Sequence, residues 1–209
     1  MADILLDVQS PPETPAAGQA VLYFDTSSKD IAVKDDAGFI RGRKSNFSTA
    51  AQSPAAATRT YVAGSAIAIP KSKLQIGTCF RWHFNIRKTA AGTATCIFDI
   101  AVGTAGTTAD TARVSFTKPA GTAAVDEGMV TIMAICRGPL SASGVFAGEF
   151  TLIHNLSATG HAAIPCVCVS TISAVFDVTV NDLIVGICIT SGASDAITIE
   201  MVQAEAWNL

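Results

Sequence analysis

Across residues 74–103, LQIGTCFRWHFNIRKTAAGTATCIFDIAVG, apolar and polar side chains alternate. Phe80, Trp82, Phe84 and Ile86 fall on one side of an extended chain, and Arg81, His83, Asn85 and Arg87 fall on the other. A period of two built from aromatic and β-branched residues predicts a strand with one buried face. Cys96, Phe98, Ile100 and Val102 repeat the pattern, and the KTAAGT between the two runs suits a turn. The expected core is therefore Phe80, Trp82, Phe84 and Ile86, joined by Phe98 and Ile100. The opposite face of the first strand is expected to be a polar sheet surface, turned to solvent or to a neighbouring subunit.

The same grammar continues to the C-terminus. TARVSF (111–116), EGMVTIMAICRG (127–138), GVFAGEFTLIHNL (144–156), AIPCVCVST (163–171), AVFDVTV (174–180), DLIVGICIT (182–190) and AITIEMVQAEAW (196–207) are strand-like runs separated by turn residues. No amphipathic helical pattern interrupts them. The fold class is all-β: an antiparallel β-sandwich, jelly-roll-like, over residues 61–209. Met129–Cys136 and Leu183–Ile189 are apolar on both faces, which places each strand between sheets or between the sandwich and another subunit.

Residues 1–43 read differently. Pro11, Pro12 and Pro15 predict an extended N-terminal arm, because proline fixes φ and cannot donate to a ladder. AVLYFD, IAVKD and FIRGR then form a small antiparallel β-meander, with Asp36-Ala37-Gly38 as one of its turns. So short a meander needs support from a partner or from the main domain. Residues 44–60, rich in Ser, Ala and Thr and containing Pro54, read as a linker.

Composition adds one constraint. Only 15% of the 209 residues are charged and 49% are hydrophobic, whereas ordinary soluble domains carry roughly 25% charged residues. Part of the apolar surface is therefore expected to be covered by other subunits. A formal net charge of -3 gives no basis for a nucleic-acid partner. No run approaches the roughly 20 apolar residues of a membrane span, and MADILLDVQSPP lacks the basic start of a secretory signal. The 6 cysteines lie in strand-like runs without a CxxC pair, and are expected to be buried free thiols of a protein made in a reducing cytoplasm.

Candidate chemistry is sparse, and no catalytic residue, cofactor or metal is expected. The 3 histidines, His83, His154 and His161, lack metal-ligand spacing; the last two, seven apart across a turn, could approach each other. The acids from Asp99 to Glu205 are scattered, without the two convergent carboxylates a glycosidase needs. The serines lack a nucleophile elbow. GTAGTTAD enters a strand rather than a helix, so Asp110 is expected to cap a turn instead of helping to hold phosphate. Trp82, Trp207 and Tyr61 could line a carbohydrate groove, although packing is the commoner use of such side chains.

The text ILLD…PPETPAAGQAVLYFDTSSKDIAVKDDAGFIRG resembles the leader of many tailed-phage fibre and appendage proteins, in which a Pro-Ala-Gly element precedes a strand and a short hairpin. The remainder, from IPKSKLQIGTCFRWHFNIRKTAAGTATCIFDIAVGTAGTTAD through GHAAIP to LIVGICITSGASDAITIEMVQAEAWNL, is similar to a β-rich domain of phage virion proteins. The resemblance implies a homotrimeric virion surface component, either a short fibre or spike or a head decoration protein. It would be made in the host bacterial cytoplasm, and would contact capsid, neck or tail proteins and, as a fibre, a host surface glycan. It carries over no catalytic residue. The expected anchor to the particle is Ile4, Leu5, Leu6, Val21 and Tyr23. The alternatives are a host-glycan receptor-binding protein and a carbohydrate-active depolymerase.

Overall fold

The computed structural model describes residues 8–9, 12–25, 30–35, 40–70, 73–179, 181–192 and 196–209. Within them the regular structure is entirely β. The N-terminal strands are β1 (Val8–Gln9), β2 (Ala20–Asp25), β3 (Asp30–Asp35), β4 (Ile40–Arg41), β5 (Arg43–Ser48), β6 (Arg59–Tyr61) and β7 (Ile67–Ile69). They are followed by β8 (Cys79–Lys88), β9 (Cys96–Gly103), β10 (Thr111–Lys118), β11 (Asp126–Cys136) and β12 (Phe146–His154). The last three are β13 (Cys166–Ile172), β14 (Leu183–Ser191) and β15 (Ile197–Trp207).

Two sheets make an antiparallel sandwich. One has the order β13-β12-β11-β8-β15-β5; the other has the order β10-β9-β14-β6, with β7 also paired to β14. The turn after β8 is a crossover between sheets, so β8 and β9 stack face to face instead of pairing. The last two strands wrap the first two of the main domain: β15 pairs with β8, and β14 pairs with β9. That first-against-last wrap is the jelly-roll-like element of the topology. The strands between them form a β9–β10 hairpin in one sheet and a β11–β12–β13 meander in the other.

Alternation decides which side chains meet between the sheets. Phe80, Trp82, Phe84 and Ile86 from β8, and Phe98 and Ile100 from β9, are fully buried. Aromatic rings carry the contact across the interior: Phe98 lies 5.2 Å from Phe150 and 6.5 Å from Phe84, in tilted pairs. Trp82 spends its one polar group on the backbone, Nε1 donating to Ser65 O at 2.8 Å.

Residues 44–60 are not a free connector. Most of β5 falls inside this span and forms the edge of the six-stranded sheet, with Ser45 opposite Glu205 and Phe47 opposite Gln203. Composition hid the strand because an edge strand with an open outer face tolerates polar residues. Gly64, at φ +83, lets the following turn close onto β5, since a Cβ there would stand 2.5 Å from Ser48 N.

The N-terminal strands form a separate four-stranded sheet, β1-β2-β3-β4, antiparallel except for the short parallel pair of β1 and β2. Tyr23 stands opposite Ala32, and both are buried; Val21 is half-buried. Ile4, Leu5 and Leu6 and the Asp36-Ala37-Gly38 turn lie outside the described residues.

Candidate functional site

The core-facing rows end in polar groups at one end of the sandwich. On β8 the row of Phe80 to Ile86 runs on into Lys88, and on β10 Val114 and Phe116 run on into Lys118. On β11 the row begins at Asp126, the register partner of Lys88, and on β12 Phe150 and Leu152 lead to His154. All four polar side chains belong to buried residues, and His161 joins them from the loop after β12.

Each buried charge is held by several partners. Lys88 Nζ donates to Thr89 O at 3.0 Å, Thr122 O at 2.8 Å and Ala124 O at 2.5 Å. Lys118 Nζ donates to Pro119 O at 2.9 Å and His161 O at 3.1 Å. Asp126 Oδ2 accepts from His154 Nδ1 at 2.7 Å and from the His161 backbone N–H at 2.9 Å. Burial by itself would raise the Asp126 pKa, but these two hydrogen bonds hold it below the usual range. A side chain at Gly160, whose φ is +86, would collide with this carboxylate, a Cβ falling 2.0 Å from Oδ2.

The two histidines do approach, with ring centroids 6.0 Å apart. His154 places Nδ1 on Asp126 and Nε2 at 2.6 Å from Ile164 O, so neither nitrogen is free to act on a substrate. His161 is 0% exposed, and among the described residues neither ring nitrogen has a hydrogen-bond partner. Burial pushes its pKa down to about 4; Asp126 opposes that shift, while Lys118, His154 and Lys88 add to it. The cluster ties loops to strand ends.

A second ion pair, with a buried carboxylate and a half-buried guanidinium, covers the outside of the five-stranded sheet. Arg59 meets Asp99 with two bonds, Nη2 to Oδ1 at 2.6 Å and Nε to Oδ2 at 3.1 Å. Its Nη1 donates to Thr108 O at 2.7 Å and Asp110 O at 2.8 Å. Asp110 closes the GTAGTTAD loop by accepting from Ala105 N and Gly106 N. Cys188 lies beneath this group, and burial raises its thiol to about 12, with Asp99 adding to the shift. Tyr61 is not a groove residue: its hydroxyl packs where a Cβ at Gly186 would be, and burial raises its pKa. Replacing Arg59 by methionine strands Asp99, and is expected to cost about 2 kcal/mol, read as a drop in the chemical-denaturation midpoint.

The outer face of the six-stranded sheet is the surface with exposed chemistry. Glu205 is nearly buried there, with Oε1 2.5 Å from Arg43 Nη2 and Oε2 2.6 Å from Arg81 Nη2. Burial would raise the Glu205 pKa, but the two guanidinium groups hold it low. Arg81 also lies over the Trp207 ring, 5.6 Å from its centroid. Arg43, Arg81, Glu205 and Trp207 together line a shallow depression of about 270 Å³. Beside it His83 contacts Thr131 Oγ1 at 3.1 Å, its pKa lowered by burial and then by Arg81. The face also carries exposed Phe47, Met129, Ile135, Ile153, Ile172 and Met201. The three aromatic residues read as possible groove residues are thus separated: Trp82 is in the core, Tyr61 covers the other sheet, and Trp207 reaches the outer surface.

The expectation of uniformly buried thiols fails on one strand. Cys96, Cys136 and Cys188 are buried and Cys79 is half-buried, but Cys166 and Cys168 are exposed. Their run is apolar enough for an interior, yet β13 is an edge strand, and of its seven residues Val167 is the buried one. The described residues contain no group of three or more His, Cys, Asp or Glu side chains placed to hold a metal ion, and no helix long and apolar enough to cross a membrane.

Fold and surface define an all-β sandwich protein whose buried charges are spent on its own loops. No family model matches the chain. No curated protein matches it. Among solved structures it is similar to the CBM2 module of the evolved Dit of Lactobacillus casei BL23 phage J-1, at a TM-score of 0.30 and 9% identity, covering 75% of this chain and 76% of that one.

Proposed function

We propose that the protein is a surface component of a tailed-phage virion: a homotrimeric β-sandwich knob carried by its N-terminal arm and small sheet. The observation that supports this most is the outer face of the six-stranded sheet. Phe47 is 71% exposed, Ile153 58%, Ile172 51% and Met201 47%. A chain with only 15% charged residues leaves these side chains on one broad surface, as subunits that assemble do. The work of such a protein is binding and assembly, without catalysis. Residues 1–20 attach it to a capsid, neck or tail protein, and the sandwich projects from the particle.

Calibrated light scattering on the full chain is expected to give three times the 21.5 kDa chain mass. A stable monomer at micromolar concentration overturns the trimer. Deleting residues 1–20 is expected to abolish incorporation into particles while leaving the knob folded; incorporation that persists overturns the anchor.

The depression at Trp207 favours a second reading, in which the knob also binds host glycan. A half-buried indole beside the Arg43 and Arg81 guanidinium groups is suited to stacking and hydrogen bonding with a sugar. Glycan-array binding by the full chain, lost in Trp207→Ala, is the expected result under that reading.

A further inference from the structure

Cys166 and Cys168 are exposed cysteines. They stand two residues apart on β13, on the same face, with their sulfurs 3.2 Å apart. The free edge of the six-stranded sheet runs beside them.

A direct disulfide is not what this geometry favours. Residues two apart on a strand are separated by about 6.6 Å, twice the rise per residue, and their Cβ atoms point the same way. A disulfide needs Cβ atoms roughly 3.5–4.5 Å apart, so the strand would have to buckle. Register resists that movement, because Cys166 is paired opposite Ile153 and Cys168 opposite Thr151. An atom inserted between the sulfurs requires no such change. With metal–sulfur bonds of about 2.3 Å, two thiolates can span a bridging ion at separations up to roughly 4.6 Å, within reach of small side-chain rotations from the present positions.

The surroundings select the kind of ion. No third His, Cys, Asp or Glu completes a metal-binding group among the described residues. Thr151 Oγ1, 3.9 Å from Cys168 Sγ, is a hard and distant neighbour. Zinc in a structural site takes four protein ligands, and calcium and magnesium take oxygen. An ion content with two sulfurs is soft and monovalent, of the copper(I) type. We propose that Cys166 and Cys168 form a two-sulfur binding site for a soft, thiophilic metal ion such as copper(I), on the edge strand β13. Binding is ligand exchange without a change of oxidation state: one metal ion bonds both sulfurs and two protons leave to solvent. Because two protons leave on binding, uptake is expected to strengthen as pH rises.

The test is an anaerobic titration of the full chain with copper(I) against a chromogenic copper(I) chelator. One ion per chain is expected, and zinc(II) is expected to bind far more weakly. Cys166→Ser and Cys168→Ser should each lose roughly 100-fold or more in affinity, since either change turns a chelate into a single-sulfur contact. Cys79→Ser should bind as the parent does. Both serine changes fall on exposed positions, and matching thermal melts will show that each variant is folded. Uptake that survives in the double variant overturns the site, as do single variants that bind like the parent. Recovery of the pair as an intrachain disulfide from anaerobically purified protein, with no copper(I) bound, also overturns it.

Discussion

Lys88→Met is expected to destabilise the fold by about 3–5 kcal/mol, seen as a Tm drop of roughly 10 °C in a thermal melt. Methionine keeps the length of the side chain and removes the ammonium, whose acceptors include Thr89 O, Thr122 O and Ala124 O. Leaving buried carbonyls without a donor costs about 1–3 kcal/mol each, and relaxation of the loops recovers part of the sum. Asp126, register partner of Lys88, also loses a nearby positive charge. The comparison is Arg87→Met, one residue earlier. Arg87 is on the outer face, 56% exposed, and its ion pair with Glu127 is long at 3.9 Å. That change is expected to stay within about 0.5 kcal/mol. Equal effects at the two positions would show that the carbonyl contacts of Lys88 contribute little.

The contrast between Arg87 and Lys88 also shows what could be read without the structure. The alternation on β8 separates the Phe80–Ile86 row from the Arg81–Arg87 row, and the all-β sandwich follows from such rows repeated along the chain. Carried two residues further, the same parity puts Lys88 inside, and it does the same for Lys118, Asp126 and His154. A charged residue on a core-facing parity near a strand end was the available signal for the polar cluster. What was not legible depends on distant contacts. Arg59 and Asp99 are 40 residues apart in sequence, and nothing local to either announces the other. The exposure of Cys166 and Cys168 follows from the edge position of β13, which its apolar letters conceal. β5 is concealed for the converse reason: its polar letters suit an edge, and its partner β15 lies at the far end of the chain.

The second large effect is acid destabilisation through His161. Its pKa in the folded chain is about 4, with 6.5 as the ordinary value. A depressed pKa means that the unfolded chain takes up the proton first. The contribution of the neutral ring is therefore fully present above pH 6.5, falls as pH drops from 6.5 to 4, and is gone below 4. A shift of that size corresponds to about 3 kcal/mol lost across the window. Asp126 has a lowered pKa as well, but its contribution persists above its ordinary value of 3.8 and is lost only below it, so the two effects occupy different ranges. Lys88, Lys118 and His154 surround the ring, and all three oppose a charge on it. His83 shifts in the same direction from the outer sheet face, which makes a subtraction necessary. Denaturation midpoints of the parent and of His161→Leu, measured from pH 7.5 to 4, are expected to diverge in slope, the parent losing about 3 kcal/mol more. Parallel curves through that window would mean that protonation of His161 costs the fold nothing, and that its buried, unpartnered ring is not the acid-sensitive group of the cluster.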